Sequence, residues 1–138
     1  MTNPPPQPAS KPPRILIVED DLVIARMIEE IVRELGYAIS GVAGTIATAR
    51  LQIAKRDFDA VLLDIDLEGE HHPETADILL EAGVPFAFVT GYDYALEPRH
   101  EGVPMLEKPF AFVQLRALLE KLVGPGSPTG NRPRGISA

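Results

Sequence analysis

The chain of 138 residues is 45% hydrophobic and has no cysteine, which suits one globular domain and excludes disulfides and thiolate metal sites. All 20 acidic residues lie within 14–123 beside 10 basic ones, so this segment carries a net charge of −10, which disfavours contact with nucleic acid or anionic membranes. No apolar run approaches the roughly 20 residues that span a bilayer, and the N-terminus has no apolar signal-like region, so we expect a cytoplasmic protein.

Proline and glycine mark both ends of the chain as tails. Residues 1–13 contain six prolines and, apart from Met1, no large apolar side chain, which predicts a disordered or polyproline-like segment. Residues 124–138 are rich in glycine, proline and serine and are also predicted to be disordered. The folded domain is therefore predicted to cover 14–123.

Short apolar runs then alternate with helical patterns. A β-branched run over 14–18 predicts a strand that is buried on both faces. An apolar stripe with spacings of three and four over 24–35 predicts a first helix, which ends at a glycine. A second strand is predicted over 37–42, and a second helix over 45–55 with Thr45 as its N-cap.

The second half of the domain continues this alternation. Strands are predicted over 60–63, 85–89 and 103–106, a third helix over 73–82 and a final helix over 110–123. The inward side chains of the final helix are predicted to be Phe112, Leu115, Leu119 and Leu122. Alternating strands and helices predict right-handed βαβ units and therefore an α/β fold with a parallel sheet.

The segment before the last strand is the exception. A fourth helix is expected over 92–102, but Pro98 and Gly102 interrupt it, which predicts a short helix or a loop. His100 in this segment has no partner that the sequence reveals. Residues 71–72, two histidines among glutamates, favour a solvated loop over a metal site.

Polar residues follow four of the predicted strands. Residues 19–21 (EDD) follow the first, Asp64 and Asp66 the third, Thr90 the fourth and Lys108 the fifth. Because ligands of parallel α/β sheets bind at the carboxyl ends of the strands, these side chains are expected to share one edge of the sheet.

The chemistry of this set points to a cation and a phosphoryl group. Crowded carboxylates repel one another unless a cation offsets them, and Mg²⁺ prefers such oxygen ligands. Asp64 has the chemistry of a nucleophile that forms an aspartyl phosphate, while Lys108 and the Thr90 hydroxyl have that of groups that orient phosphoryl oxygens.

Four motifs, ILIVEDD, VLLDIDL, FVTGYD and MLEKPF, give the sequence a family resemblance over about 110 residues. In this order they resemble the signatures of response-regulator receiver domains. The resemblance implies a flavodoxin-like three-layer α/β/α fold with a five-stranded parallel sheet in the order 2-1-3-4-5. It also implies that Asp64 is the phosphoacceptor in a Mg²⁺-dependent reaction.

The resemblance assigns a role to each of the other site residues. Asp20 matches the direct metal ligand, Glu19 the acidic partner that acts through water, and Asp66 the ligand that contributes its backbone carbonyl. Thr90 matches the switch hydroxyl and Lys108 the phosphate-binding lysine, which is expected to precede a cis peptide bond to proline.

The sequence departs from the common receiver pattern at one switch position. Met105 stands where receivers usually carry an aromatic residue, and we expect it to pack in the core, while Tyr92 is a candidate substitute reporter. PFAFVTGY resembles the motif of FAT GUY receivers, which are stand-alone regulators linked to histidine kinases of the HWE and HisKA2 types. The resemblance thus implies signalling through protein contacts, or a phosphorelay or phosphate-sink role, without the turnover of an enzyme beyond self-catalysed phosphorylation and slow autodephosphorylation.

Other classes of protein share parts of the acidic pattern. Asp64-x-Asp66 resembles the motif of haloacid-dehalogenase phosphatases, but those place it after the first strand and follow it with a longer chain. Glu19 with the same motif resembles toprim-type nucleases, which the acidic net charge disfavours. A non-phosphorylated pseudo-receiver, acting only as an interaction domain, is disfavoured because every expected site residue is present.

Overall fold

The computed structural model describes residues 11–91 and 96–126. Within them, seven strands occupy Arg14–Val18 (β1), Ala38–Ala43 (β2), Ala60–Leu63 (β3), Asp66–Leu67 (β4), Glu70–His71 (β5), Phe86–Thr90 (β6) and Met105–Glu107 (β7). Helices occupy Leu22–Glu34 (α1), Ile46–Lys55 (α2), Glu74–Ala82 (α3) and Phe112–Val123 (α4), and a 3₁₀ helix covers Pro98–His100. Each predicted strand and α-helix is present with bounds within two residues of the prediction. Most of both predicted tails, and Tyr92, lie outside the described residues.

The main sheet is parallel and has the order β2-β1-β3-β6-β7, which is 2-1-3-4-5 when the short pair β4 and β5 is left out. This confirms the flavodoxin-like topology that the resemblance implied. One apolar cluster joins the sheet to α1 and α4, and a second joins its opposite face to α2 and α3. The domain therefore has three layers, with helices on both faces of the sheet.

The central strands are apolar without alternation because both of their faces are buried. On β1, Ile15 and Ile17 belong to the cluster under α1 and α4, whereas Leu16 and Val18 belong to the cluster under α2 and α3. All five residues of β6 are buried as well. Each buried Val, Leu, Ile or Phe side chain of these strands contributes roughly 1.5–3 kcal/mol when it leaves water, so packing on both faces of the sheet stabilises the strands that carry the site.

Local capping fixes where the helices begin and end. Asp21 caps α1 by accepting hydrogen bonds from the amides of Val23 and Ile24, at 2.9 and 3.1 Å. Thr45 and Thr48 form a reciprocal capping box at α2, as predicted for Thr45. Gly83 ends α3 with a φ of 72°, a conformation that suits glycine.

The inward face of α4 differs from the prediction. Phe112 is 38% exposed, while Leu118 is buried beside Leu115 and Leu119. The helix begins at residue 112, two residues later than predicted, so Phe110 precedes it and packs against the core. This later start places Phe112 in the first turn, on the solvent side.

A short hairpin, β4 with β5, replaces the solvated loop predicted around residues 71–72. Its turn is formed by Glu68 and Gly69, which both have positive φ angles, 55° and 79°. Two residues with positive φ are typical of type I′ hairpin turns. The ladder has only two residue pairs, too few for a period-two pattern to appear in the sequence.

The described helices include none that is long and apolar enough to cross a membrane. The predicted short fourth helix corresponds, in the described residues, to the 3₁₀ helix. His100 lies in it, fully buried, and its Nε2 is 2.7 Å from Oδ1 of Asp77. The sequence does not reveal this partner, because Asp77 is 23 residues away in the chain and belongs to α3.

Candidate functional site

The ends of four parallel strands meet at one edge of the sheet. Glu19 follows β1, Asp64 follows β3, Thr90 ends β6 and Lys108 follows β7. The side chains of Glu19 and Asp64 are almost fully buried there, at 2% and 4% exposure for the whole residues. The topology therefore brings together the residues that the sequence predicted as a single site.

Lys108 joins the two buried carboxylates. Its Nζ donates to Oε1 of Glu19 at 2.6 Å and to Oδ2 of Asp64 at 2.9 Å. Backbone amides satisfy the remaining oxygens: the amide of Asp21 donates to Glu19, and that of Asp66 donates to Oδ1 of Asp64. The phosphoacceptor candidate is thus held from both sides, with one ammonium at its outer oxygen.

Glu19, Asp20 and Asp64 form a cluster that suits a hard cation. One carboxylate oxygen from each lies within 4.8 Å of the others. Three carboxylates against the single ammonium of Lys108 leave two negative charges without a partner ion, and oxygen ligands are those that Mg²⁺ prefers. The residues present therefore fit the magnesium site that the sequence predicted.

Asp20 differs from its neighbour Asp21 in what it contacts. Oδ2 of Asp20 accepts from the amide of Glu68 at 2.8 Å, across to the hairpin turn, whereas Asp21 caps α1. The sequence gives no sign of this contact with Glu68, because only the positive-φ turn of the hairpin carries the Glu68 amide to this position. The hairpin thereby orients one wall of the acidic pocket.

Burial determines the electrostatics of the pocket. It raises the pKa of Asp64 and of Glu19, although hydrogen bonds from Lys108 and from backbone amides act in the opposite direction. Burial also lowers the pKa of Lys108, but its hydrogen bonds to Glu19 and Asp64 outweigh this effect, so the pKa is raised. The ammonium is therefore charged at neutral pH, while the buried carboxylates are destabilised by their lack of water.

Asp66 turns its side chain away from this cluster. Its Oδ1 is 2.7 Å from Nδ1 of His71, and the Asp66 side chain is half-exposed. This agrees with the expectation that its carboxylate takes no direct part in the site. The predicted role of its backbone carbonyl as a metal ligand stays a prediction.

Thr90 lies at the end of β6, where its side chain is buried. The residue is 1% exposed, and its Oγ1 has no hydrogen-bond partner among the described residues. Its backbone carbonyl accepts from the amide of Lys108 at 2.7 Å, which links the end of β6 to the end of β7. The bond between Lys108 and Pro109 is cis, as the resemblance implied.

Met105, at the position that is usually aromatic, is 39% exposed instead of packed in the core. It lies on the edge strand β7, whose outer side has no neighbouring strand in the described sheet. The expectation of a core role for Met105 is therefore wrong.

Comparison with known proteins agrees with this site. The sequence model of the response regulator receiver domain matches residues 15–120. The transcriptional regulatory protein QseB of Escherichia coli O157:H7 is 33% identical over 118 residues, which are 80% of this chain and 52% of QseB. The chain thus spans about half the length of that curated relative.

Two solved structures extend the likeness to three dimensions. SdrG from Sphingomonas melonis Fr1 matches with a TM-score of 0.73 and 33% identity, over 80% of this chain and 96% of SdrG. The receiver domain of the PhyR response regulator from Erythrobacter litoralis matches with a TM-score of 0.73 and 30% identity, over 86% and 96% of the two chains.

Proposed function

Because the chain belongs to the response regulator receiver domain family, and is therefore a signalling module of two-component systems, we propose that Asp64 accepts a phosphoryl group from the phosphohistidine of a histidine kinase. The observation that carries the proposal is the ammonium of Lys108 held between the buried carboxylates of Glu19 and Asp64, beside Asp20. Such an arrangement offers a nucleophile together with charge neutralisation, the two requirements of phosphoryl transfer.

The transfer is a displacement at phosphorus. A carboxylate oxygen of Asp64 forms the new bond to phosphorus, and the bond from phosphorus to the histidine nitrogen breaks, with the nitrogen keeping the electron pair. Lys108 then donates to a phosphoryl oxygen instead of to the carboxylate alone. A Mg²⁺ ion held by Glu19, Asp20 and Asp64, with the carbonyl of Asp66 as a further ligand, would neutralise charge on the phosphoryl oxygens.

Thr90 responds to the new group. Its buried hydroxyl has no partner among the described residues, and a phosphoryl group on Asp64 supplies acceptor oxygens. We expect the segment that joins Thr90 to Lys108 to rearrange when this hydrogen bond forms. Phosphorylation thereby becomes a change of surface that another protein can recognise.

The finer assignment is to the FAT GUY type of receiver, with a kinase of the HWE or HisKA2 type as donor and protein contacts, a phosphorelay or a phosphate sink as output. The motif PFAFVTGY and the 3₁₀ helix that is found where most receivers have a fourth helix support this assignment. Self-catalysed phosphorylation and slow hydrolysis are the only chemistry that the proposal requires of the chain.

The alternatives are not favoured. Asp64 follows the third strand of the sheet, whereas haloacid-dehalogenase phosphatases carry their motif after the first. A pseudo-receiver is disfavoured because the nucleophile candidate, the acidic cluster and the lysine lie together in the described site.

Phosphorylation by acetyl phosphate tests the proposal directly. The protein is incubated with acetyl phosphate and Mg²⁺, and its intact mass is measured. We expect the protein to gain the mass of one phosphoryl group. When EDTA has removed the metal before incubation, we expect no gain, because the negative charge of the pocket then repels the phosphate donor. A protein that gains no phosphoryl group from acetyl phosphate or from any HWE or HisKA2 kinase would contradict the proposal.

Asp20→Asn should weaken Mg²⁺ binding by about ten-fold or more, because it removes one carboxylate ligand from the cluster. Mg²⁺ affinity is measured by titration calorimetry. Asp21→Asn is the matched control: it removes the same charge one residue away, and asparagine caps a helix as well as aspartate does. Equal losses of affinity in the two variants would show that only the general charge matters.

A further inference from the structure

Residues 91–104 connect β6 to β7 and therefore join Thr90 to Lys108 at the site. We call residues 96–104 of this segment, all of which the structure describes, the β6–β7 connection. Leu96 and Val103 pack against the apolar cluster beneath α2 and α3. The described part of the connection thus lies against the α3 side of the sheet.

The buried ring of His100 links this connection to β6 and to α3. It is fully buried, and its centroid is 5.7 Å from that of Phe88, which lies on β6 two residues before Thr90. Its Nε2 is 2.7 Å from Oδ1 of Asp77, in the middle of α3. Because Asp77 is an acceptor when ionised, Nε2 is the nitrogen that carries the proton.

The exposed guanidinium of Arg99 links the connection to the same carboxylate of α3. Its Nε donates to Oδ1 of Asp77 at 2.8 Å, and a terminal nitrogen donates to Oδ2 at 3.0 Å, in the two-pronged geometry that favours arginine and carboxylate. The other terminal nitrogen donates to Glu97 at 3.0 Å. These hydrogen bonds, first from Arg99 and then from His100, lower the pKa of Asp77 to about 2, so Asp77 is ionised at neutral pH.

One carboxylate therefore carries all the side-chain hydrogen bonds that link the described part of the connection to α3. They occur together with a buried Thr90 hydroxyl that forms no hydrogen bond among the described residues. A contact that is present in one arrangement and lost in the other shifts the equilibrium between them by its own free energy.

We infer that Asp77 is a latch that, through Arg99 and His100, holds the β6–β7 connection in the arrangement in which the Thr90 hydroxyl is not hydrogen-bonded. The inference rests on the proposed function, because the latch opposes the rearrangement that a phosphoryl group on Asp64 induces through Thr90. Asp77 touches no reacting atom; it is a positioning residue that sets how readily the protein switches.

Asp77→Asn tests the latch, since asparagine keeps the shape but loses the charge. The probe is beryllofluoride with Mg²⁺, a mimic of the phosphoryl group. We expect the variant to bind the mimic about five-fold more tightly than the wild type, the lower end of a typical coupling, while its thermal midpoint without ligand falls. A merely structural role would lower the midpoint and leave the affinity unchanged.

Two further variants frame this test. Arg99→Ala breaks only the exposed half of the latch and should tighten binding in the same direction by a smaller factor; it decides the question if Asp77→Asn fails to fold. Asp57→Asn, which removes the exposed ion pair with Arg14 at 3.1 Å, should leave the affinity unchanged. Unchanged or weaker binding after loss of the latch would overturn the inference, whereas a wild type that binds no beryllofluoride would instead contradict the proposed function.

Discussion

Asp64→Asn is expected to abolish phosphorylation and, in the absence of metal, to make the protein more stable. The amide has no anionic oxygen to attack phosphorus, so acetyl phosphate and Mg²⁺ should add no mass. Burial raises the pKa of Asp64, which means that folding disfavours its ionised form. Replacing that charge with an isosteric amide removes this cost, while Lys108 keeps its ion pair with Glu19 at 2.6 Å. A gain of about 1 kcal/mol in the free energy of unfolding is the usual size for such a change.

The same linkage gives the pH dependence its sign. A carboxyl group whose pKa is raised on folding contributes stability below its unfolded value, near 3.8, and loses that contribution as the pH rises through the folded value. The stabilising effect of Asp64→Asn should therefore be seen at neutral pH and vanish in acid. Chemical denaturation of the variant and the wild type in EDTA, at neutral and at acidic pH, measures this difference in stability.

Asp59→Asn serves as the control for this variant. Asp59 precedes β3 and so lies at the other end of the same strand, where it is exposed and accepts a hydrogen bond from the amide of Arg14. The control should still gain a phosphoryl group. If Asp64→Asn also gained one, the phosphoacceptor would be a different residue.

Lys108→Met is expected to destabilise the metal-free protein more than any other substitution at the site. Methionine has a similar length but no charge, so Glu19 and Asp64 keep their burial and lose the ammonium that both contact. Removing one partner of a buried ion pair costs about 3–5 kcal/mol, and the partial exposure of Lys108, 16% for its side chain, favours the lower end of that range.

Mg²⁺ should restore more stability to this variant than to the wild type. Without the ammonium, the acidic cluster has no internal cation, so the ion relieves a larger repulsion there. Phosphorylation should nevertheless be slow, because the donor to the phosphoryl oxygens is missing. Denaturation with EDTA or with Mg²⁺ separates the two effects, and Lys121→Met, on the exposed end of α4, should change stability by less than about 0.5 kcal/mol. A variant that Mg²⁺ stabilises no more than the wild type would contradict this account of Lys108.

The sequence alone was enough to predict the strands of the sheet and the residues that form the site. The strands β1, β3 and β6 are buried on both faces, so their residues are apolar and visible as short runs, apart from Arg14 at the start of β1 and Thr90 at the end of β6. Since parallel strands end at one edge, the polar residues that follow these runs had to meet there. These two facts predict that the side chains of Glu19 and Asp64 are neighbours.

Only the tertiary structure decided how the site is oriented and what restrains it. Glu68 reaches Asp20 because two positive φ angles fold a hairpin too short to leave a pattern. His100 and Asp77 are 23 residues apart in the chain, and their contact depends on the side of the sheet against which the β6–β7 connection packs. Periodicity reports which face of an element is buried, but not which distant side chain it meets, because that pairing is determined by packing between elements.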